Sequence, residues 1–328
     1  MNISSIDRRK VLEMIQRFGL FFVIILMVLL MRFVLEPIII PDRPPVFLTG
    51  GNIVNVLRQV SMNGIMAVGI TFVILTGGID LSIGAIVAVT SVIAGYHLDH
   101  GGTWQMAFAL GMTGALIFGI TNGILIAVGG LPPFIATLAT QAIARGFALV
   151  YSNGRPYLIL DDKFLNIGKG SSLGIPNPIW LLLTVCLLAY IVLTFTVFGR
   201  HVYAFGGNRQ AAKLAGVRIK LVEIAVYVIA GVLAGLTAII LTARISSGQP
   251  TAGQGYELDA IAAAAIGGTS MIGGSGTVGG TIMGFIIIGI MINSMTLLGV
   301  SSYYQQIVKG FIIIAAVMLD MVIKRRGK

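Results

Sequence analysis

The chain has 328 residues, of which 56% are hydrophobic and only 10% are charged. A soluble domain carries about 25% charged residues, so the composition excludes an ordinary soluble protein and indicates one that spans a membrane. The net charge of +10 does not indicate nucleic-acid binding. The cations cluster at the termini and at the ends of apolar runs, where they orient a membrane protein.

Nine apolar runs divide the sequence, and each is long enough to cross about 30 Å of hydrocarbon as a helix. The first run is not a cleavable signal peptide, because Arg32 and Glu36 follow it in place of a small-residue cleavage site. The pattern predicts an all-α, polytopic integral membrane protein. The runs lie near residues 16–37, 59–77, 81–98, 105–128, 133–151, 178–199, 220–243, 279–298 and 305–323.

A tenth crossing is expected at residues 258–273, LDAIAAAAIGGTSMIG. Basic clusters place both termini on the cytoplasmic side, which requires an even number of crossings. Because Gly267 and Gly268 interrupt the segment, we interpret it as an irregular crossing whose broken backbone is buried in protein. A re-entrant half-helix is the alternative. The terminal cations are Arg8, Arg9, Lys10, Arg17, Lys324, Arg325, Arg326 and Lys328.

Charged side chains between or inside the apolar runs are candidates for a polar path, because charge at membrane depth is costly. Asp80 lies between two runs, and our preferred interpretation is that Asp80 or Ser82 caps the following helix. Arg145 lies within a run, near Gln141. It either snorkels to the surface or lines a wet interior.

The stretch 246–259 combines hydroxyl, amide, aromatic and acidic groups, and we expect it on the outward side. Acids at a helix start complement its dipole, but that role does not explain the neighbouring amides and tyrosine. Such a mouth suits a sugar. Arg244 is the one cation beside it in sequence, so we expect no phosphate or carboxylate site. The candidate translocation path comprises Asp80, Gln141, Arg145, Gln254, Tyr256, Glu257 and Asp259.

Metal and nucleotide motifs are weak in this sequence. His97, Asp99 and His100 do not supply four good ligands, so a solvated turn is preferred over a metal site. The single cysteine, Cys186, excludes an intrachain disulfide and a cysteine-based metal site. GSGTVG at 274–279 lacks a preceding strand, so helix packing is preferred over dinucleotide binding. We expect no metal and no cofactor in this chain.

Small residues recur at every fourth position in two runs, which predicts close helix–helix contacts, because small side chains let helix backbones approach within a membrane. The later stripe lies either within one protomer or across a dimer. The stripes are Ala107, Gly111, Ala115, Gly119 and Gly123, and Gly276, Gly280 and Gly284.

Residues 199–220, GRHVYAFGGNRQAAKLAGVRIK, form a basic loop between two apolar runs. Asn208 can cap a helix from Arg209 to Ala215, and Gly216 can end it in the left-handed conformation. A helix of about two turns is not stable alone in water, so this one must dock. Its cations favour the cytoplasmic side, which predicts a docking element for a cytoplasmic partner. The sequence contains no G-x-x-x-x-G-K-[ST] motif, so another chain would hydrolyse any ATP.

Together these segments resemble the permease subunits of bacterial ATP-binding-cassette importers for ribose and related monosaccharides. The resemblance runs from about Ile53 to Asp320 and is specific because it joins five blocks. The blocks are LTGGIDLSIGA (75–85), FIATLAT (134–140), GRHVYAFGGNRQAAKLAGV (199–217), ARISSGQPTAGQGYELDAIAAAAIGGTSMIGGSGTVGG (243–280) and LLGVSSYYQQIVKG (297–310).

The resemblance implies a type II-like importer permease of about ten transmembrane helices, with a single domain over 1–328. It implies a cytoplasmic coupling loop at 200–220 and a periplasmic loop at 152–177. Such a chain is a transport subunit, not an enzyme, and moves a monosaccharide, with ribose favoured, from periplasm to cytoplasm. The alternatives are galactose, xylose, allose, galactofuranose or autoinducer-2. The rival from another class is an ion-coupled secondary transporter.

The resemblance also implies a permease homodimer in the bacterial inner membrane, with both termini cytoplasmic. Its implied partners are two ATP-hydrolysing subunits, a periplasmic sugar-binding protein and membrane lipid, without nucleic acid. The residues that fall where the family couples to its ATPase are Gly206, Gly207, Asn208, Arg209, Gln210, Ala211, Ala212, Lys213, Leu214 and Gly216.

Overall fold

The computed structural model describes residues 19–39, 41 and 44–326, except for the side chains of 316, 317 and 319–326. Helices dominate this part of the chain. They are α1 (Gly19–Ile39), α2 (Gly50–Leu75), α3 (Ile83–Asp99), α4 (Trp104–Ala127), α5 (Pro133–Ser152), α6 (Asp162–Lys169), α7 (Asn177–Phe195), α8 (Val197–Gly207), α9 (Arg209–Leu214), α10 (Ile219–Ile245), α11 (Tyr256–Ile266), α12 (Val278–Leu297) and α13 (Ser302–Arg326). The strands are β1 (Tyr157–Leu158), β2 (Ser171–Ser172), β3 (Ile175–Pro176) and β4 (Ser247–Gly248).

Seven of the described helices are long and apolar enough to cross a membrane, namely α1, α2, α4, α5, α7, α10 and α12. Helix α3 is also apolar and has 17 residues, a length of about 25 Å, and α13 has 25 residues. The predicted all-α, polytopic class is therefore confirmed. The basic clusters at the two termini lie outside the residues or side chains that the structure describes.

The bundle has two ends of different character. At the first, which we name the hairpin end, β1 pairs with β4, β2 pairs with β3, and α6 packs on α10. At the second, which we name the α9 end, the short helices α8 and α9 lie between the end of α7 and the start of α10. Both ends are thus built from connections that the long helices leave exposed.

Residues 246–277 pass from the hairpin end to the α9 end. Gly248 lies against Gly95, near the last turn of α3, and Gly274 N–H donates to Leu75 O, at the end of α2, over 2.9 Å. Between them only the 11 residues of α11 are helical, a length of about 16 Å. The segment therefore runs between the two ends of the bundle as an irregular, mostly non-helical chain, and its crossing of the membrane stays a prediction.

The small-residue stripe of α4 packs directly on the backbone of α10. A Cβ atom added to Gly119 would stand 2.9 Å from Tyr227 O, and one added to Gly123 would stand 2.8 Å from the Cα atom of Ile224. A Cβ added to Gly231 would stand 2.9 Å from Gly119 Cα. The prediction of a close helix contact is confirmed here.

The stripe at the start of α12 packs on α11 and the link that follows it. A Cβ on Gly284 would stand 2.8 Å from the carbonyl carbon of Ala263, and one on Gly280 would overlap the carbonyl oxygen of Gly267. Gly276 likewise lies against Thr269. Of the two predicted possibilities, the contact within one protomer is the one observed.

Candidate coupling surface and translocation site

The basic loop folds as its capping residues predict. Asn208 Oδ1 accepts a hydrogen bond from the N–H of Ala211 over 2.9 Å and caps α9. Just beyond the helix, Gly216 has φ of 83°, a left-handed conformation that glycine adopts without steric cost. The six-residue helix is therefore delimited by local chemistry at both ends.

One face of α9 docks on its own protomer. Ala212 is only 4% exposed and packs with Phe205 and Ile219. Arg209 Nη2 donates to Glu223 Oε2 over 2.8 Å, and its guanidinium lies 5.0 Å from the ring centroid of Phe205. Ala212, which the sequence analysis placed among the residues that dock on a partner, thus faces inward instead.

The other face of α9 is open. Leu214 is 90% exposed, so its own protomer leaves this apolar side chain uncovered. The coupling residues that this surface exposes, besides Arg209, are Gly207, Asn208, Gln210, Ala211, Lys213, Leu214 and Gly216.

Helix α8 connects this surface to the break between α11 and α12. Gly206 fits so closely that an added Cβ would overlap Leu75 O and stand 2.5 Å from Gly274 N. The hydroxyl of Tyr203 donates to Gly276 O over 2.9 Å. Any displacement of α8 therefore acts directly on residues 274–276.

The candidate path residues fall on two sides of α11. On one side, Glu257 Oε1 accepts a long hydrogen bond, 3.5 Å, from Gln141 Nε2 of α5. On the other side, Asp259 pairs with Lys309 of α13 over 2.9 Å. Gln254 is exposed in the preceding turn. The structure therefore divides the predicted set into separate groups.

Arg145 points into the bundle and does not snorkel to the surface. Its Nη1 atom donates to Pro250 O over 2.8 Å and to Ala252 O over 2.9 Å. Its Nη2 atom donates to Gly84 O over 3.2 Å. The guanidinium satisfies three carbonyls and thereby attaches the turn before α11 to the first turn of α3.

Lys309 is a site residue that the sequence analysis missed. Asp259 is buried, with 5% of its side chain exposed, whereas 22% of the Lys309 side chain is exposed. A lysine inside an apolar run is the signal that could have identified it, since such a charge needs a partner. The ion pair attaches α13 to α11.

Asp80 belongs to a separate buried network. Its Oδ1 atom accepts from the N–H and the hydroxyl of Ser82, over 2.8 and 2.6 Å. Ser82 Oγ accepts from Asn122 Nδ2 over 2.7 Å, and Asn122 Oδ1 accepts from Thr140 over 2.6 Å. The network joins the start of α3 to α4 and α5. Ser82 is the N-cap residue of α3, but its side chain accepts no hydrogen bond from the N–H groups of the helix, so of the capping interpretation only the bond from the Ser82 N–H to Asp80 is observed.

Cations gather near Arg244 at the hairpin end. Arg58 Nη2 donates to Lys169 O over 3.1 Å, Lys169 Nζ donates to Ser246 Oγ, and Arg58 and Arg244 lie close enough to repel each other. The expectation of an isolated Arg244 is therefore wrong, because contacts distant in sequence bring two other cations beside it.

The histidine turn holds no assembled metal site. Within the described residues, no group of three His, Cys, Asp or Glu side chains could hold a metal ion. The ring of His100 lies on that of Tyr96, with centroids 4.0 Å apart, and its Nδ1 atom is 2.9 Å from Tyr96 O.

The chain is similar to known transport proteins. The family model described as "Branched-chain amino acid transport system / permease component" matches residues 52–317. Ribose import permease protein RbsC of Bacillus subtilis (strain 168) is 47% identical over 285 residues, 86% of this chain and 88% of the relative. RbsC of Escherichia coli (strain K12) is 44% identical over 286 residues, 86% and 89% of the two chains.

Permeases named for other sugars are also similar. The D-allose transport system permease protein AlsC of Escherichia coli (strain K12) is 40% identical over 285 residues, 86% of this chain and 87% of the relative. No solved structure matches significantly. The family match and the helical bundle together show that the chain belongs to the multi-pass membrane permease subunits of ABC importers, transport components in which a separate chain hydrolyses ATP.

Proposed function

We propose that this permease moves a monosaccharide, with ribose as the first candidate, from the periplasm to the cytoplasm. The observation that carries the proposal is the 47% identity to a ribose import permease over 86% of the chain. The tyrosine, amide and hydroxyl groups of residues 246–256 support it, because neutral hydrogen-bonding groups beside an aromatic ring suit a sugar.

An ATP-driven route is supported by the pairing of charges around α11. Asp259 has Lys309 as its partner, and Glu257 lies within electrostatic range of Arg145. An ion-coupled secondary transporter requires acids that take up and release the coupling ion near the midplane. The paired acids fit a structural role better.

A permease of this family works with ATPase and binding-protein partners. We propose that two permease copies assemble with two ATPase subunits in the bacterial inner membrane, and that α9 contacts the ATPase. Five cations support a cytoplasmic α9 end, since basic loops favour that side. They are Arg200, Arg209, Lys213, Arg218 and Lys220.

The hairpin end, with the loop at 152–177, is then periplasmic and receives the sugar-binding protein, and both termini are cytoplasmic. Reporter fusions after Lys328 and within residues 155–170 test this orientation, because ten crossings place them on opposite sides. Two fusions that report the same side would contradict it.

Transport itself is tested in liposomes that contain the permease, its ATPase and its binding protein. Uptake of labelled ribose is measured against an excess of galactose, xylose, allose, galactofuranose or autoinducer-2. We expect ATP-dependent ribose uptake that unlabelled ribose competes best. Preferred uptake of an amino acid or a phosphate ester, or uptake driven by an ion gradient without ATP, would overturn the proposal.

A further inference from the structure

Helix α2 carries four amide side chains in the half nearer the hairpin end: Asn52, Asn55, Gln59 and Asn63. Their spacings of three, four and four residues place them on one face of the helix. Asn52 is paired with Asn293 of α12, because each side-chain NH2 group donates to the other's carbonyl, over 3.0 and 2.9 Å. The stripe therefore begins at a packed amide pair at one end of the face.

The other three amides differ from Asn52. Among the described residues, Asn55, Gln59 and Asn63 have no hydrogen-bond partner, although Asn63 is only 6% exposed as a residue. Their amide nitrogens and oxygens are not among the fully buried side-chain atoms that lack a hydrogen-bond partner. Asn55 is exposed and Gln59 is half-buried, so water reaches their amides directly. An amide as buried as that of Asn63 costs about 1–3 kcal/mol without a hydrogen bond and is best satisfied by water.

The same half of α2 has a separate apolar face. Ile53 and Leu57 are 42% and 40% exposed, and the helical period turns them away from Asn55 and Gln59. Apolar side chains are the ones that a helix turns toward lipid, whereas polar groups face protein or a water-filled space. Helix α2 thus separates a lipid-facing side from a wet side.

The wet side of α2 runs beside α11. Ala263 of α11 packs beside Gly284 of α12, and the two helices run antiparallel. From that contact α11 extends about 10 Å further toward the hairpin end before it begins at Tyr256, whereas α12 reaches Asn293 after about 13 Å. The start of α11 therefore lies only about 3 Å short of the level of the Asn52–Asn293 pair. Because Gly64 packs on Phe285, Asn63 is level with Ala263, and the amide stripe runs beside α11.

We propose that Asn55, Gln59 and Asn63 line the entry vestibule of the permease and bind the hydroxyl groups of the incoming sugar. Beside the stripe lies α11, whose first turn carries Tyr256 and Asp259, the partner of Lys309. An amide both donates and accepts hydrogen bonds, as a sugar hydroxyl does. The identity of the ligand rests on the proposed function, whereas the position of the vestibule does not.

Thiol labelling tests the position of the vestibule. Cys186 is the one cysteine of the chain and is buried, so a Cys186→Ala parent that retains uptake provides a clean background. Asn55→Cys and Gln59→Cys are compared with Leu57→Cys during reaction with a membrane-impermeant thiosulfonate. We expect positions 55 and 59 to react at least about tenfold faster, because only a hydrated thiol ionises to the reactive thiolate. Equal rates at the three positions would overturn the proposal.

Transport kinetics test the binding role. Gln59→Leu removes the amide with little change in volume, and we expect the KM for ribose uptake to rise about tenfold, as for the loss of one well-formed hydrogen bond. Assembly and ATPase activity are measured in parallel. Asn52→Leu is the matched control, because it unpairs Asn293 and should lower the melting temperature without a comparable change in KM.

The two proposals fail in distinguishable ways. If Gln59→Leu and Asn55→Leu transport ribose with unchanged KM, the binding role of the stripe is wrong even though ribose is the substrate. If the wild-type complex transports no monosaccharide, the proposed function is wrong, and the labelling rates still decide whether the vestibule exists.

Discussion

The two halves of α2 meet different surroundings. From Val60 to Leu75 every residue is buried, whereas from Gly50 to Gln59 only Asn52 is. Helix α2 packs against α7, α8, α10, α11 and α12. Toward the hairpin end it carries Asn55 and Gln59, which have no hydrogen-bond partner among the described residues, whereas Asn63 already lies in the buried stretch. The contrast separates a stretch of α2 that its own protomer encloses from one that it leaves partly uncovered.

The closed half relies on glycine contacts more than on large apolar side chains. Gly69 packs on the Cα atom of Ala230, and Gly206 packs on Leu75 O. Within a membrane such contacts are held by short-range dispersion, because lipid supplies no hydrophobic drive between helices. A small separation removes most of that attraction, so close packing can seal a path that still has to open.

The largest effect is expected when a large side chain replaces Gly280. Gly280→Leu would place a side chain where Gly267 O now lies, and an overpacked site costs about 1–3 kcal/mol or more when backbone must move. We expect little assembled protein in detergent by size-exclusion chromatography. Gly279→Leu is the matched control, because open space surrounds that position. Normal assembly of the Gly280 variant would show that the α11–α12 contact is looser than described.

The second prediction concerns Arg145 of α5. Arg145→Gln removes the charged donor from the carbonyls of Gly84, Pro250 and Ala252. Hydrogen bonds to charged groups contribute about 1.5–3 kcal/mol each, and water recovers part of that, so we expect a net loss of about 3 kcal/mol. The melting temperature in detergent measures it. Arg155→Gln, in an exposed turn, should melt as wild type, and equal melting of both variants would contradict the attachment role.

Local features of this comparison were predictable from sequence. Asn208 and Gly216 delimit α9 because a cap and a left-handed glycine act within a few residues of the helix that they end. The end of α11 at Ile266 followed from the paired glycines Gly267 and Gly268. In each case the determining chemistry lies within or beside the segment concerned.

Features of the path were not predictable in the same way. Asn52 and Asn293 are 241 residues apart, and Arg58 and Lys169 are 111 apart. Which helices become neighbours depends on the packing of the whole bundle, so periodicity in one segment does not reveal these pairs. The same reason explains why the packing of Ala212 on its own protomer was not predicted, since its inward contacts come from residues on both flanking helices.

The third prediction concerns the ion pair between Asp259 of α11 and Lys309 of α13. Lys309→Met leaves a buried carboxylate without its cation, which costs 3–5 kcal/mol in a dry interior; because Lys309 is partly exposed, we expect about 2 kcal/mol. Adding Asp259→Asn should restore most of the loss in melting temperature. Purely additive effects in this double-mutant cycle would show that the pair does not hold α13 on α11.

The smallest effect on folding is expected at Leu214, on the outer side of the closed half. Leu214→Asp changes a side chain that is 90% exposed, so stability should change by no more than about 0.5 kcal/mol. If α9 is the ATPase contact, co-purification of the ATPase and sugar uptake should nevertheless fall about tenfold, because a charge replaces the apolar centre of that surface. Leu173→Asp, at a side chain 91% exposed at the hairpin end, is the matched control for co-purification of the ATPase, since that end is assigned to the sugar-binding protein. Ala212→Arg is less informative, because it disrupts the packing of α9 on its own protomer and lowers stability as well. Normal co-purification and uptake by the Leu214 variant would move the contact away from α9.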